Sequence, residues 1–142
     1  HVCLELSKMM VRDGEGVTRL VTVRVRGAKT QKEADAAARA VGNSALVKTS
    51  WNGGDPNWGR IVAAAGRSGV RFDPDGVALW IGVHQLMQAG QPLAFDRDAA
   101  STALREQEVL IRLTLSEGSA AARAWGCDLS DQYVRINADY TT

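Results

Sequence analysis

"RLVTVRVRGAKTQKEADAAARAVGN", residues 19–43, decides the fold class of this chain. Its first half alternates. Val21, Val23 and Val25 fall on one side of an extended backbone and Thr22, Arg24 and Arg26 on the other, which predicts a half-buried strand. The second half changes period. Thr30 is placed to cap a helix, Glu33 three residues on completes a capping box, and Gly42-Asn43 stops the run. A β-flavoured run at residues 45–50 follows, making the unit strand–helix–strand. The expectation is therefore an α/β protein, a layered sheet-and-helix domain.

Working outward, two glycines and Asp-Pro-Asn-Trp-Gly-Arg form a sharply bent loop after Ser50, flanked by Trp51 and Trp58, with Arg60 just past it. Asp55 and Asn57 are expected to satisfy turn and helix-start amides, and Trp58 to pack. A small-residue helix should follow at residues 61–65. Such a helix start can also hold an anion, for instance a substrate carboxylate. "RFDPDG" reads as a turn, "VALWIGVHQLMQAGQPL" as a hairpin and "RDAASTALREQ" as a helix. "EVLIRLTL" is a second alternating strand, with Val109, Ile111, Leu113 and Leu115 facing one way. "SAAARAWGCDL" is read as a strand, and "SDQYVRINADYTT" opens on a cap signal at Ser130 and ends as a tail. At the other end, residues 3–10 suit an amphipathic helix with Leu4, Leu6, Met9 and Met10 apolar, and "VRDGEGVT" is a charged loop bracketed by glycines.

The totals exclude several classes. The 142 residues suit one domain or one part of a larger protein, and 45% apolar content suffices for a sizeable core. Seventeen basic residues against sixteen acidic ones leave a net charge of +1, so no overall field draws the chain to nucleic acid or to a membrane. Arg24, Arg26 and Arg112 read as residues of solvated strand faces. No apolar run reaches the roughly 18 residues of a membrane span. The first ten residues have no signal-peptide pattern and no initiator methionine, so a processed chain or a fragment is expected. Cys3 and Cys127 are expected to be free, buried thiols of a reducing, cytoplasmic compartment. His1 and His84 lack ligand spacing, so no metal site is expected.

The usual catalytic constellations are missing: there is no Gly-x-Ser-x-Gly elbow, Walker loop or Cys-x-x-Cys. What remains is Glu15 in "DGEG". Flanking glycines let a ligand approach the backbone closely and let the carboxylate project, where it can bind an ammonium group or accept a proton. Without further information an acidic turn is the simpler reading, and Asp13 is a turn-closing side chain.

Four motifs change that balance. "DGEG", "LVKT", "GDPNWGRI" and "WGCDL…YVRINADY", in this order over nearly the whole chain, resemble the bifunctional ornithine acetyltransferase/glutamate N-acetyltransferase family of arginine biosynthesis. The resemblance implies a precursor that cuts itself before a threonine. The freed threonine of the β chain takes an acetyl group from N-acetylornithine as an ester and passes it to glutamate. An N-terminal nucleophile has its own amine close by as base, and an ester divides one hard transfer into two easier ones. Oxyanion donors, in the family a property of the α chain, would stabilise each tetrahedral intermediate.

The Ala-Thr-Met cleavage motif is absent from these 142 residues. The expectation is that residues 1–142 form the C-terminal portion of the β subunit, with the nucleophile upstream and no activity when isolated. Carried over by motif, the residues expected to contact substrate are Glu15, Asn137 and Thr142. The implied partners are the α chain of the same precursor and the rest of the β chain, in a heterotetramer of two α and two β chains, with neither nucleic acid nor membrane involved. No cofactor is implied, although acetyl-CoA serves some relatives as an alternative donor. Trp51, in "SWNGG", departs from the family pattern of a small residue, which implies altered surroundings for that loop. Two other readings stand beside this one: a related self-cleaving aminopeptidase or amide hydrolase, and a non-catalytic domain for amino-acid binding or assembly.

Overall fold

A computed structural model of the chain describes residues 1–139. The strand that the alternation demands is β1, Leu20–Ala28, and it lies inside the sheet. Its neighbours are β5, Glu108–Thr114, running parallel, and β6, Ala120–Cys127, running antiparallel. Beyond β5 come β2, Ala78–Ile81, β3, His84–Gln88, and the short β4, Gln91–Pro92, so the sheet order is β4-β3-β2-β5-β1-β6. Val21, Val23 and Val25 stand beside Val109, Ile111 and Leu113 in register, and all six are buried. Each such side chain contributes about 1.5–3 kcal/mol by leaving water. This stripe fixes the register, because a slip of one residue would turn it outward.

The helix α2, Gln31–Gly42, covers that stripe. Its capping box is complete: the Glu33 amide donates to Thr30 Oγ1 at 3.2 Å and the Thr30 amide donates to Glu33 Oε2 at 3.1 Å. Ala34, Ala37 and Ala38 are fully buried, and their small side chains let the helix approach the sheet closely.

Residues 45–50 do not form the expected strand. They belong to a helix, α3, Ala45–Gly53. Ser44 caps it by accepting from the Val47 amide, and Val47 and Trp51, one turn apart, both face the core. Thr49 donates its hydroxyl to the Leu46 carbonyl, a local bond that reconciles a β-branched residue with the helix. Gly54, at φ 67°, ends α3, and a side chain there would collide with Arg105. The unit is strand–helix–helix, and the α/β class stands.

Asn57 caps α4, Trp58–Gly66, as expected, and Trp58 packs partly buried against the core. The β2–β3 hairpin, α5, Arg97–Leu104, and both later strands also agree with the sequence reading. As the cap signal indicates, Ser130 caps a helix, α6, Asp131–Ala138, and residues 140–142 of the expected tail lie outside the described residues. At the opposite end α1, Val2–Arg12, is amphipathic, yet none of its residues is buried. Cys3 is exposed on α1 and Cys127 only half-buried. Both thiols are free, but neither is the buried core thiol expected.

Candidate functional site

The loop at residues 13–19 joins α1 to β1, and it is fastened to the far end of the sequence. Ser130 donates its hydroxyl to the Gly16 carbonyl at 2.7 Å while accepting from the Tyr133 amide at 3.3 Å. The helix cap and the loop anchor are thus one side chain. Gly16 sits at φ 68°, and a Cβ there would lie 2.6 Å from Ser130 Oγ and 2.7 Å from the Tyr133 amide. Only glycine permits this approach.

The docking aligns Glu15 with Asn137 on α6. Asn137 Nδ2 donates to Glu15 Oε2 at 2.7 Å and to the Tyr133 carbonyl at 2.9 Å. Both residues are exposed. An oriented carboxylate beside a side-chain amide on an open surface can accept charge-assisted hydrogen bonds from an ammonium group, while the Asn137 carbonyl oxygen can take further donors. Of the three residues implied to contact substrate, two therefore meet. Thr142 lies outside the described residues.

The same loop is also held, at Thr18 and Arg19, by a residue to which sequence reasoning assigned no role. Asp128 is 3% exposed and accepts four hydrogen bonds. The Thr18 and Arg19 amides donate to Oδ1 at 2.9 and 3.1 Å, and the Thr18 hydroxyl and Asn52 Nδ2 donate to Oδ2 at 2.5 and 2.7 Å. Burial by itself raises the Asp128 carboxyl, but these hydrogen bonds to the charged form prevail and hold it below its ordinary value. Arg19 extends the junction, donating to the Trp51 and Leu104 carbonyls at 2.5 and 2.9 Å. It thereby places a cation at the C-terminal ends of α3 and α5, where the helix dipoles favour one. Three of the quoted motifs, "DGEG", "SWNGG" and "WGCDLS", converge here.

The Asp-Pro-Asn-Trp-Gly-Arg loop is a separate joint. Asn57 accepts from the Arg60 amide and donates to Asp55 Oδ2, and Asp55 also pairs with Arg97 at 2.7 Å. Arg60 donates to the Leu46 carbonyl at 3.0 Å. These polar groups are engaged in tying α3, α4 and α5 together, and Asn57 already takes the helix-start amide that an anion would need. Trp51 is fully buried, so it shapes the packing beneath the loop rather than a ligand surface. Asp13 ends α1, and His84 is half-buried in β3. Among the described residues no cluster of His, Cys, Asp or Glu could hold a metal ion. No described helix is long and apolar enough to cross a membrane.

The helices α2, α3 and α4 on one face of a six-stranded mixed sheet, with the first loop locked to the last helix, define the α/β class to which a solved protein also belongs. That protein, the arginine biosynthesis bifunctional protein argJ from Bacillus halodurans, superposes with a TM-score of 0.95 at 41% identity over 98% of this chain and 66% of its own. The ArgJ family profile matches residues 1–142, and the chain belongs to the ArgJ family. The arginine biosynthesis bifunctional protein ArgJ of Parasynechococcus marenigrum (strain WH8102) is 64% identical over 137 residues, 96% of this chain and 34% of that protein. The protein of the same name from Symbiobacterium thermophilum is 52% identical over 99% of this chain and 35% of its own length. The chain thus spans about a third of the length of these curated relatives.

Proposed function

We propose that residues 1–142 are the C-terminal portion of the β subunit of a glutamate N-acetyltransferase. The enzyme would move an acetyl group from N-acetylornithine to glutamate through an acyl-threonine intermediate. The nucleophile is contributed by residues outside these 142, and this chain contributes substrate contacts at Glu15, Asn137 and Thr142. The α chain and the rest of the β chain complete the enzyme, as two copies of each in the cytoplasm. No cofactor is needed for an ester-mediated exchange between two amino acids, and acetyl-CoA would enter only as an alternative donor.

The observation that carries this reading is the 2.7 Å bond between Asn137 and Glu15, residues 122 positions apart. The relatives' names, which place them in arginine biosynthesis, support it further. Ornithine offers an ammonium group, and an oriented carboxylate with a neighbouring amide complements it. Glu15→Gln in the complete enzyme keeps the shape and removes the charge. Loss of a hydrogen bond to a charged group costs about 1.5–3 kcal/mol, so kcat/KM should fall roughly ten- to a hundredfold. Unchanged kinetics for both amino acids would return Glu15 to an ordinary turn. Following acetylglutamate formation against acetate release in the same assay separates transfer from hydrolysis.

A further inference from the structure

The helices α2, α3 and α4 cover one face of the sheet, and the opposite face carries a row of like charges. Register places Arg24 on β1 directly beside Arg112 on β5 and directly beside Arg123 on β6, with Trp80 on β2 next to Arg112. Arg26 stands two residues further along β1 on the same face. Like charges directly opposite one another in a sheet are destabilising, and among the described residues none of these four guanidinium groups pairs with a carboxylate. Arg112 stacks over Trp80, 5.2 Å from the ring centre, and donates to the Gly82 carbonyl, yet its buried Nε has no partner. Arg24 is held below the ordinary guanidinium value by burial and by Arg26, Arg123 and Arg112. Arg112 alone of the row has these favourable contacts with Trp80 and Gly82, and no carboxylate among the described residues offsets the charge of the row.

We propose that this face is a docking surface for a carboxylate-bearing segment of the polypeptide that completes the enzyme. Aspartate or glutamate side chains of that segment would lie between Arg24, Arg112 and Arg123. Charge complementarity selects the occupant's chemistry. The setting suits protein over nucleic acid: Arg24 and Arg123 share a cleft of about 350 Å³ with Thr22 and Leu110, a partly apolar lining that fits a protein side chain better than a phosphate backbone. The overall charge of +1 also supplies no field for a polyanion. The surface continues onto α1, because Glu108 pairs with Arg12 and Arg12 borders a hollow lined by Leu6, Met9 and Met10. Leu6, Met9 and Met10 are 53%, 59% and 78% exposed, and such an apolar margin beside paired charges is the anatomy of a protein interface. Relatives about three times as long have the polypeptide to cover it. The inference rests on the reading that the chain is part of a larger enzyme and not on which reaction that enzyme performs.

The test uses the complete assembled enzyme. With Arg24→Lys or Arg123→Lys, carbodiimide should form an amide between the new amine and an Asp or Glu outside residues 1–142, located by mass spectrometry of the digest. Separately, a dicarbonyl reagent should modify Arg26 and Arg123 more slowly in the assembled enzyme than after dissociation in urea. Absence of any such amide from both variants overturns the proposal. So does modification at the urea rate in the assembled enzyme, or protection that appears only when heparin, a DNA oligonucleotide or citrate is added. Neither readout measures acetyl transfer, so the result is independent of what Glu15 binds.

Discussion

Asn137 donates to Glu15 across 122 positions of sequence, and the contact exists only because Ser130 pins the Gly16 carbonyl beside the first turn of α6. The pair is therefore sensitive in three ways: through its own polar groups, through the glycine that lets the loop dock, and through the buried Asp128 carboxylate that holds the same loop at Thr18 and Arg19.

Asn137→Asp sets a second carboxylate against Glu15. Two carboxylates at hydrogen-bonding distance cannot both ionise freely, so the pair's upper ionisation rises and the pair separates at neutral pH. Acetyl transfer by the complete enzyme should fall further than with Asn137→Ala and recover in part as the pH is lowered. A pH–rate profile of the two variants checks this. Parallel profiles would show that the amide does not act through Glu15.

Gly16→Ala should separate the loop from α6 without unfolding the core. A left-handed residue with a Cβ costs about 1–2 kcal/mol, and the contacts at 2.6 and 2.7 Å force a shift besides. The expected outcome is a raised KM for the amino-acid substrates with thermal stability lowered by only a few degrees. Kinetics and thermal unfolding measured on the same preparation decide it.

Asp128 should make stability pH-dependent in acid. Its folded-state value lies below the ordinary 3.8, so its contribution is fully present above that value and is lost as pH falls through the folded value. Asp128→Asn retains one acceptor oxygen where two are used, and should cost about 1.5–3 kcal/mol. Denaturant titrations at neutral pH and at pH values below 3.8 should show the variant's deficit shrinking in acid. A deficit that is the same at every pH would contradict the assignment.

Purified residues 1–142, free of other chains, should show no acetyl transfer from N-acetylornithine to glutamate, because the nucleophile is expected elsewhere. Turnover by this piece would move the nucleophile into it. In the complete enzyme Thr142→Ala should raise the KM for the amino acids and leave the melting temperature unchanged.

Where a local pattern suffices, the sequence was readable. Val21, Val23 and Val25 mark β1, Thr30 and Glu33 mark the start of α2, and Asn57 marks the start of α4, because alternation and caps are short-range physics. The misreading at residues 45–50 has an equally local cause. Val47 and Thr49 favour a strand by type, but the Ser44 cap and the Val47–Trp51 spacing suit the helix, in which the Val47 and Trp51 side chains are both buried. α6 is marked in the sequence only by its Ser130 cap, because its eight residues bury nothing among the described residues and so carry no apolar stripe to show their extent. Glu15 and Asn137 were found through motif likeness, since spacing cannot show that residues 122 apart will meet. Asp128 had no signal of its own. Its role depends on three segments, around Thr18, Asn52 and Asp128 itself, arriving at one point.

The position of β1 bears on how the chain is made. The strand is synthesised well before its partners, because both of its hydrogen-bonding edges are filled by β5 and β6, which come much later in the sequence. At about 5–20 residues per second, a ribosome leaves those edges and the valine stripe open for several seconds. During that interval β1 is a ready template for pairing with a neighbouring nascent chain. Arg24 and Arg26, costly once the sheet has formed, are then useful gatekeepers: they make the unfinished strand repel its own copies.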